Sequence, residues 1–294
     1  MMDYDYVKPA SLKEVLGLLK KHGPKATLIA GGTDVMINIK NKELAPEVLI
    51  SLRGLEGLRY IEKTDGYHIG ALTTHRMLEQ SNMVKVELSA LHDAASQVGS
   101  VQIRNVATVG GNICNAAPSA DTAGPLLALG ATVVLEGPRG SREVPMVEFF
   151  TGPSETVLKS NEVLVEFHIP EKPGRFGSAY WKHSRRKAMD LPLLGIAVAL
   201  TLTESENVSD ARIALTVAAP VPMRAYKAEE FLKAKRLDDE VLAEAGRIAS
   251  SEASPRDSLR GKAWYRREMI EVFVPRMATL AAERMRNESQ GRSR

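Results

Sequence analysis

One stretch near the middle of the chain limits the possible folds more than any other. VATVGGNICNAAPSADTAGPLLALGA (residues 106–131) contains a single charged side chain, Asp121, and is otherwise built largely of Gly, Ala, Asn, Ser and Thr. Side chains this small let backbone pack closely against something else, another segment or a ligand. The stretch contains Gly110-Gly111, and a second doublet, Gly31-Gly32, stands in LIAGGTDV (residues 28–35). Each doublet follows an apolar run with β-branched residues that reads as a strand, so each is expected at a strand end. A Gly-Gly pair there is either an ordinary tight turn or a concavity in which consecutive N–H groups converge on an anion without obstruction from Cβ. Both doublets have neutral donors beside them, Thr33 in one case and Thr108 and Asn112 in the other, and neither has an adjacent lysine. Two such loops could grip one pyrophosphate.

Around these loops the chain divides into segments. Ser11, with Glu14 three residues on, opens a helix whose apolar face is Leu12, Val15, Leu16 and Leu19, and Gly23-Pro24 ends it. Residues 27–30 read as a strand, and Thr33-Asp34 opens a short helix or turn. Short strands at 48–51, 58–61 and 67–71 suggest antiparallel pairing, a helix is expected over about 86–98, and strands follow at 132–135, 142–146 and 163–169. The best boundary is PEKPG (residues 170–174), because two prolines and a glycine in five residues continue neither strand nor helix. Beyond it come strands at 178–184, 195–203 and 212–218, then helices at about 225–235, 238–250 and 262–286. Sheet first and helices afterwards indicates an α+β domain. In the strand at 178–184, Tyr180, Lys182 and Ser184 share one face and Trp181 and His183 the other. Lys182 is then either a cation placed beside an aromatic or part of a solvated edge.

The 294 residues suffice for two domains or for two lobes and an appendage. A single cysteine, Cys114, cannot supply a structural zinc or iron–sulfur site, so redox chemistry requires a bound cofactor or a partner. A formal charge of +3, with no basic block interleaved with aromatics, points away from nucleic acid. The longest apolar stretch, residues 191–203, is too short to span a bilayer and is interrupted by Pro192 and Gly195. The start, MMDYDYVKPASLKEV, lacks the pattern of a signal peptide, and the expectation is a soluble, cytoplasmic protein. No Gly-x-Gly-x-x-Gly, phosphate-binding loop, His-Glu-x-x-His or Gly-x-Ser-x-Gly is present. His22, His68, His75, His92, His168 and His183 show no metal-ligand spacing. Asp34 reads as a helix cap rather than a phosphate contact, while Asp121 is either a cap or an acceptor for nucleotide hydroxyls.

Three ordered motifs carry a resemblance. LIAGGTDVMI (28–37), SVQIRNVATVGGNICNAAPSADT (100–122) and YWKHSRRKAMDL (180–191) resemble the FAD-binding medium subunit of the molybdenum hydroxylases, the xanthine dehydrogenase and carbon monoxide dehydrogenase family. VAAPVPMRAYKAEEFL (217–232) and LRGKAWYRREMIEVFV (259–274) are similar to that family's C-terminal domain, so the match runs in order along essentially the whole chain. Asn-Ile-Cys-Asn and Ala-Met-Asp look most like the bacterial xanthine dehydrogenase branch.

The resemblance implies an α+β protein with a two-lobed FAD-binding domain of the vanillyl-alcohol-oxidase (PCMH) type over residues 1–172, its lobes about 1–55 and 56–172. It also implies a C-terminal domain over 175–288, with a three-stranded antiparallel sheet and helices, and a frayed tail at 289–294. Leu28, Ile29, Ala30, Gly31, Gly32, Thr33, Asp34 and Val35 would hold the FAD pyrophosphate together with Thr108, Val109, Gly110, Gly111 and Asn112. Asp121 would meet ribityl or ribose hydroxyls, and Leu164 and Trp181 would lie near the flavin. Lys182 would face the pyrimidine edge as the catalytic residue, since an ammonium there favours the reduced, anionic flavin. In the family, a molybdenum cofactor in a large subunit oxidises substrate, [2Fe-2S] clusters in a small subunit relay electrons, and FAD passes them on. The resemblance further implies a dimer of heterotrimers. Leu191 stands where the carbon monoxide dehydrogenase branch tends to carry an aromatic, which points to NAD as the acceptor. The alternatives are the matching subunit of a carbon monoxide dehydrogenase or N-heteroaromatic hydroxylase, and a stand-alone flavoprotein oxidase of the same fold.

Overall fold

The structure, a computed structural model, describes residues 4–172 and 174–291, and of residues 287–291 only the backbone. Pro173 of the expected boundary and residues 292–294 of the expected tail lie outside the described residues.

The first lobe is built from β1 (Asp5–Val7), α1 (Leu12–His22), β2 (Ala26–Ile29), α2 (Val35–Lys40) and β3 (Val48–Ser51). Ser11 Oγ accepts from Glu14 N at 3.2 Å, the cap that its spacing suggests, and Val15 and Leu19 bury against Val48 and Ile50. Strand β3 lies at the centre of the sheet and pairs parallel with both β1 and β2, so the antiparallel expectation fails for residues 48–51. Helices α1 and α2 are the reason: each lies between two strands in sequence, and a crossover helix returns the chain in the same direction.

The second lobe begins with β4 (Ile61–Lys63) and β5 (Gly66–Gly70). Helices α3 (His75–Gln80), α4 (Asn82–Glu87), α5 (Ser89–Gln97), α6 (Val101–Val106), α7 (Val109–Cys114) and α8 (Ala123–Ala128) follow. Then come β6 (Thr132–Gly137), β7 (Gly140–Pro145), α9 (Met146–Phe149), the small pair β8 (Phe150–Gly152) and β9 (Glu155–Thr156), and β10 (Val163–Pro170). The sheet order is β4-β5-β10-β6-β7, with every pairing antiparallel. A short 3-10 turn occupies 56–58, which moves the strand expected at 58–61 to β4. The helix expected over 86–98 is broken at buried Leu88. Ser89 Oγ donates to Ser178 O at 2.6 Å and Ala90 N donates to Ser178 Oγ at 3.1 Å, which fixes the start of α5 against the following domain.

The C-terminal domain comprises β11 (Arg175–His183), β12 (Leu194–Leu202), β13 (Val208–Thr216), β14 (Met223–Arg224), α10 (Tyr226–Leu232), α11 (Asp239–Glu252) and α12 (Ala263–Gly291). Its antiparallel sheet has four strands rather than the three expected, because the two-residue β14 adds to the edge of β13. The backbone at 289–291 belongs to α12. Strand β12 is buried on both faces and supplies both cores. Ile196, Val198 and Leu200 pack with α11 and α12, while Ala197 and Ala199 belong to the core of the second lobe. The small side chains face the lobe and let its helices α5 and α8 approach. No helix among the described residues is long and apolar enough to cross a membrane.

Candidate cofactor site

The two glycine doublets meet, and their division of labour differs from the expectation. Gly31 and Gly32 follow β2 as expected, but the second doublet lies in the first turn of α7, and the run before it is helix α6 rather than a strand. Thr108 caps that turn: its Oγ1 accepts from Gly111 N at 3.1 Å and its carbonyl accepts from Asn112 N at 3.0 Å. Val109 N donates to Thr73 O and Gly110 N to Ala71 O, at 3.0 and 2.9 Å. The amides of the second doublet are therefore already spent. Its glycines serve close approach, since a Cβ at Gly110 would lie 2.6 Å from Ala71 O.

In the first loop the backbone N–H groups of Gly31, Gly32, Thr33, Asp34 and Val35 have no acceptor among the described residues. Five unpaired donors in succession form the kind of nest that binds an anion. A Cβ at Gly31 would sit 2.3 Å from Val106 O, so this loop rests directly on the backbone that leads into α7. Gly32 has φ +78°, the left-handed region that favours glycine. Arg53, which the sequence reading passed over, holds the loop from behind: Nε donates to Ala30 O at 3.1 Å and Nη2 to Gly31 O at 3.0 Å. Asp34 occupies the N-cap position of α2 without capping it, and among the described residues its carboxylate accepts only from Thr33 Oγ1, at 3.5 Å.

The loops form one wall of a cavity of about 610 Å³. Of the residues expected at the site, Leu28, Ala30, Gly31, Gly32, Thr33, Asp34, Val35, Thr108, Gly110, Gly111, Asn112, Asp121, Leu164 and Lys182 line it. Ile29 and Val109 do not; both are buried in the lobe cores. Trp181 is also elsewhere. Strand alternation turns it to the opposite face of β11, where it stacks on Phe273 of α12 with ring centroids 5.5 Å apart.

The charged wall is a buried pair. Lys182 Nζ donates to Asp121 Oδ2 at 2.8 Å and to Gln97 O at 3.1 Å, and Tyr180 OH donates to Asp121 Oδ1 at 3.1 Å. Lys182 is thus neither a solvated edge charge nor a free ammonium but half of an ion pair only 7 % exposed. Burial pushes the Asp121 carboxyl up, and the Lys182 charge and both hydrogen bonds pull the other way. The N-cap of α8 is Thr122, so Asp121 is no helix cap. Met189, Asp190 and Leu191 close the cavity from the loop after β11, pinned by Met189 N donating to Gly99 O at 3.1 Å. Leu191 is 47 % exposed there.

This donor set fits FAD, with unpaired amides for a pyrophosphate and a largely apolar chamber for the ring. His75 also lines the cavity, fully buried, with neither ring nitrogen hydrogen-bonded among the described residues. Burial and the Arg104 charge push its imidazole down to about 4 from an ordinary 6.5. The folded state therefore refuses a proton that the unfolded chain accepts. The stability this leaves in place is fully present above pH 6.5 and is lost as pH falls through about 4. The loss amounts to about 3 kcal/mol. Urea midpoints measured against pH are expected to fall along this limb, and His75→Leu to flatten it.

Residues 2–172 match the family described as FAD binding domain in molybdopterin dehydrogenase, and residues 179–281 match the CO dehydrogenase flavoprotein C-terminal domain. The chain is 36% identical over 285 residues to the xanthine dehydrogenase FAD-binding subunit of Escherichia coli O157:H7, covering 96% of this chain and 97% of the relative. It is 32% identical over 273 residues to the glyceraldehyde dehydrogenase medium chain of Sulfolobus acidocaldarius, covering 92% and 96%. Among solved structures it is similar to carbon monoxide dehydrogenase from Hydrogenophaga pseudoflava, with a TM-score of 0.91 at 36% identity over 96% of this chain and 98% of that one. Fold, donor set and these matches agree that the chain belongs to the FAD-binding medium subunits of the molybdenum hydroxylases, as the oxidoreductase subunit that carries FAD.

Proposed function

We propose that this chain is the FAD subunit of a xanthine dehydrogenase-type complex, working as a dimer of heterotrimers. A small subunit with [2Fe-2S] clusters delivers electrons, a large molybdenum-cofactor subunit oxidises the substrate, and NAD accepts the electrons. The observation that carries the reading is the run of five unpaired amides at residues 31–35, in the wall of a chamber that contains no free cation among the described residues. Its donors hold a pyrophosphate through hydrogen bonds alone, and Asn112 Nδ2, which has no partner among the described residues, adds another from the neighbouring loop. FAD, when bound, supplies the electron exchange. The protein's residues bind and orient it. Leu164 would flank the ring, and the Lys182–Asp121 pair would offer a donor and an acceptor whose charges cancel, so any bias toward reduced flavin would be that of a dipole. The single thiol, Cys114, fits this placement of the clusters in a partner. Its burial pushes the thiol up to about 12, so it stays protonated.

Leu191 supports NAD as acceptor: an exposed aliphatic at the cavity mouth leaves room for a nicotinamide where an aromatic would cover the ring. Two measurements test the reading. In the purified complex, NAD is expected to reoxidise the substrate-reduced flavin; a complex that reduces a quinone or dye but never NAD removes NAD from the proposal. In the isolated chain, the substrate is expected to leave the flavin oxidised, whereas a stand-alone oxidase reduces its flavin without partners.

A further inference from the structure

On the face of the second-lobe sheet opposite buried Phe167 and Ile169, two histidines far apart in sequence stand side by side. His68 of β5 and His168 of β10 are direct partners in the antiparallel ladder, and their rings stack with centroids 4.7 Å apart. Asp65, in the turn between β4 and β5, completes the group: one ligand atom from each of the three lies within 4.8 Å of the others. The 100-residue separation hides the arrangement from any search for ligand spacing.

We propose that Asp65, His68 and His168 form a binding site for a divalent transition-metal ion of the Zn²⁺ class. Three features beyond proximity support it. His68 is oriented as a metal-ligating imidazole usually is: Nδ1 is held at 3.0 Å by Glu166 Oε1, leaving Nε2 turned toward Asp65 Oδ1 at 2.8 Å. Glu166 is in turn fixed by Tyr60 OH at 2.5 Å. His168 Nε2 is buried and has no hydrogen-bond partner among the described residues, an arrangement that costs free energy unless something binds there. Finally, Gly66 keeps the space clear, because a Cβ at this position would lie 2.8 Å from His168 Nε2.

Two imidazoles and one carboxylate suit Zn²⁺, Co²⁺ or Ni²⁺ and disfavour Ca²⁺ or Mg²⁺, which take oxygen ligands. Ligands around tetrahedral zinc stand roughly 3.3 Å apart, within reach of small side-chain movements from the present positions. The ion displaces the proton shared between His68 and Asp65, takes a water as its fourth ligand, and ties the β4–β5 turn to β10.

The test titrates the full, FAD-containing chain with Co²⁺ and follows ligand-field absorption, then displaces it with Zn²⁺. One equivalent is expected to bind saturably and to raise the melting temperature. His68→Ala and His168→Ala should abolish the signal, and Glu166→Gln should weaken binding by about tenfold or more. Retained FAD shows that a variant is folded. Should either histidine variant fail to fold, Asp65→Ala, on an exposed turn, is expected to weaken binding by at least about tenfold while the fold persists. Absence of saturable uptake, or uptake that none of these substitutions changes, overturns the proposal.

Discussion

Gly31→Val is expected to release FAD. The first β-carbon alone would fall 2.3 Å from Val106 O and 2.8 Å from Ala107 Cα, and both are backbone atoms that no side-chain rotation can move aside. The loop must lift from the segment leading into α7, and the five amides of residues 31–35 lose their convergence. Overpacking of this kind costs on the order of 3 kcal/mol, or about a hundredfold in the Kd for FAD. The variant should purify colourless, or lose its visible flavin absorbance on dilution. The comparison is Gly17→Ala in α1, where a Cβ meets nothing within 4 Å. That variant is expected to keep FAD and to gain up to about 1 kcal/mol of stability from reduced backbone freedom in the unfolded chain. Full flavin content in Gly31→Val would show that the cofactor does not depend on this loop.

Lys182→Met is expected to destabilise the protein by about 3–5 kcal/mol, because it strands the buried Asp121 carboxylate with only Tyr180 as donor. The loss is mainly a charge effect. Adding Asp121→Asn, which keeps an acceptor for Tyr180 while removing the negative charge, is expected to restore most of it. Urea unfolding of the flavin-free protein measures both variants and the coupling between them. Equal losses in the single and double variants would mean that the pair contributes packing rather than charge.

Much of the arrangement is legible in the sequence, and each failure has a physical cause. The apolar spacing of α1, the β-branched runs of β2, β3 and β10 and the alternation along β11 place those elements, because burial on one face imposes a period that composition displays. The same alternation separates Lys182 from Trp181, and only the resemblance drew Trp181 toward the flavin. The parallel sheet of the first lobe was missed because short strands look alike whichever neighbour they join. Gly110-Gly111 is the instructive case. Its composition fits a strand-end loop, but Thr108, an N-cap residue three positions before Gly111, makes the segment a helix start and consumes the very amides assigned to phosphate. Arg53 and the His68–His168 pair were invisible for another reason. Their roles arise from contacts across 22 and 100 residues, which no local pattern encodes.

The most direct test of the account is an experimental structure of the chain with FAD bound. The pyrophosphate is expected against the amides of residues 31–35, with the flavin ring beside Leu164 and Lys182. A pyrophosphate held instead by lysine or arginine side chains, with those five amides left bare, would contradict it.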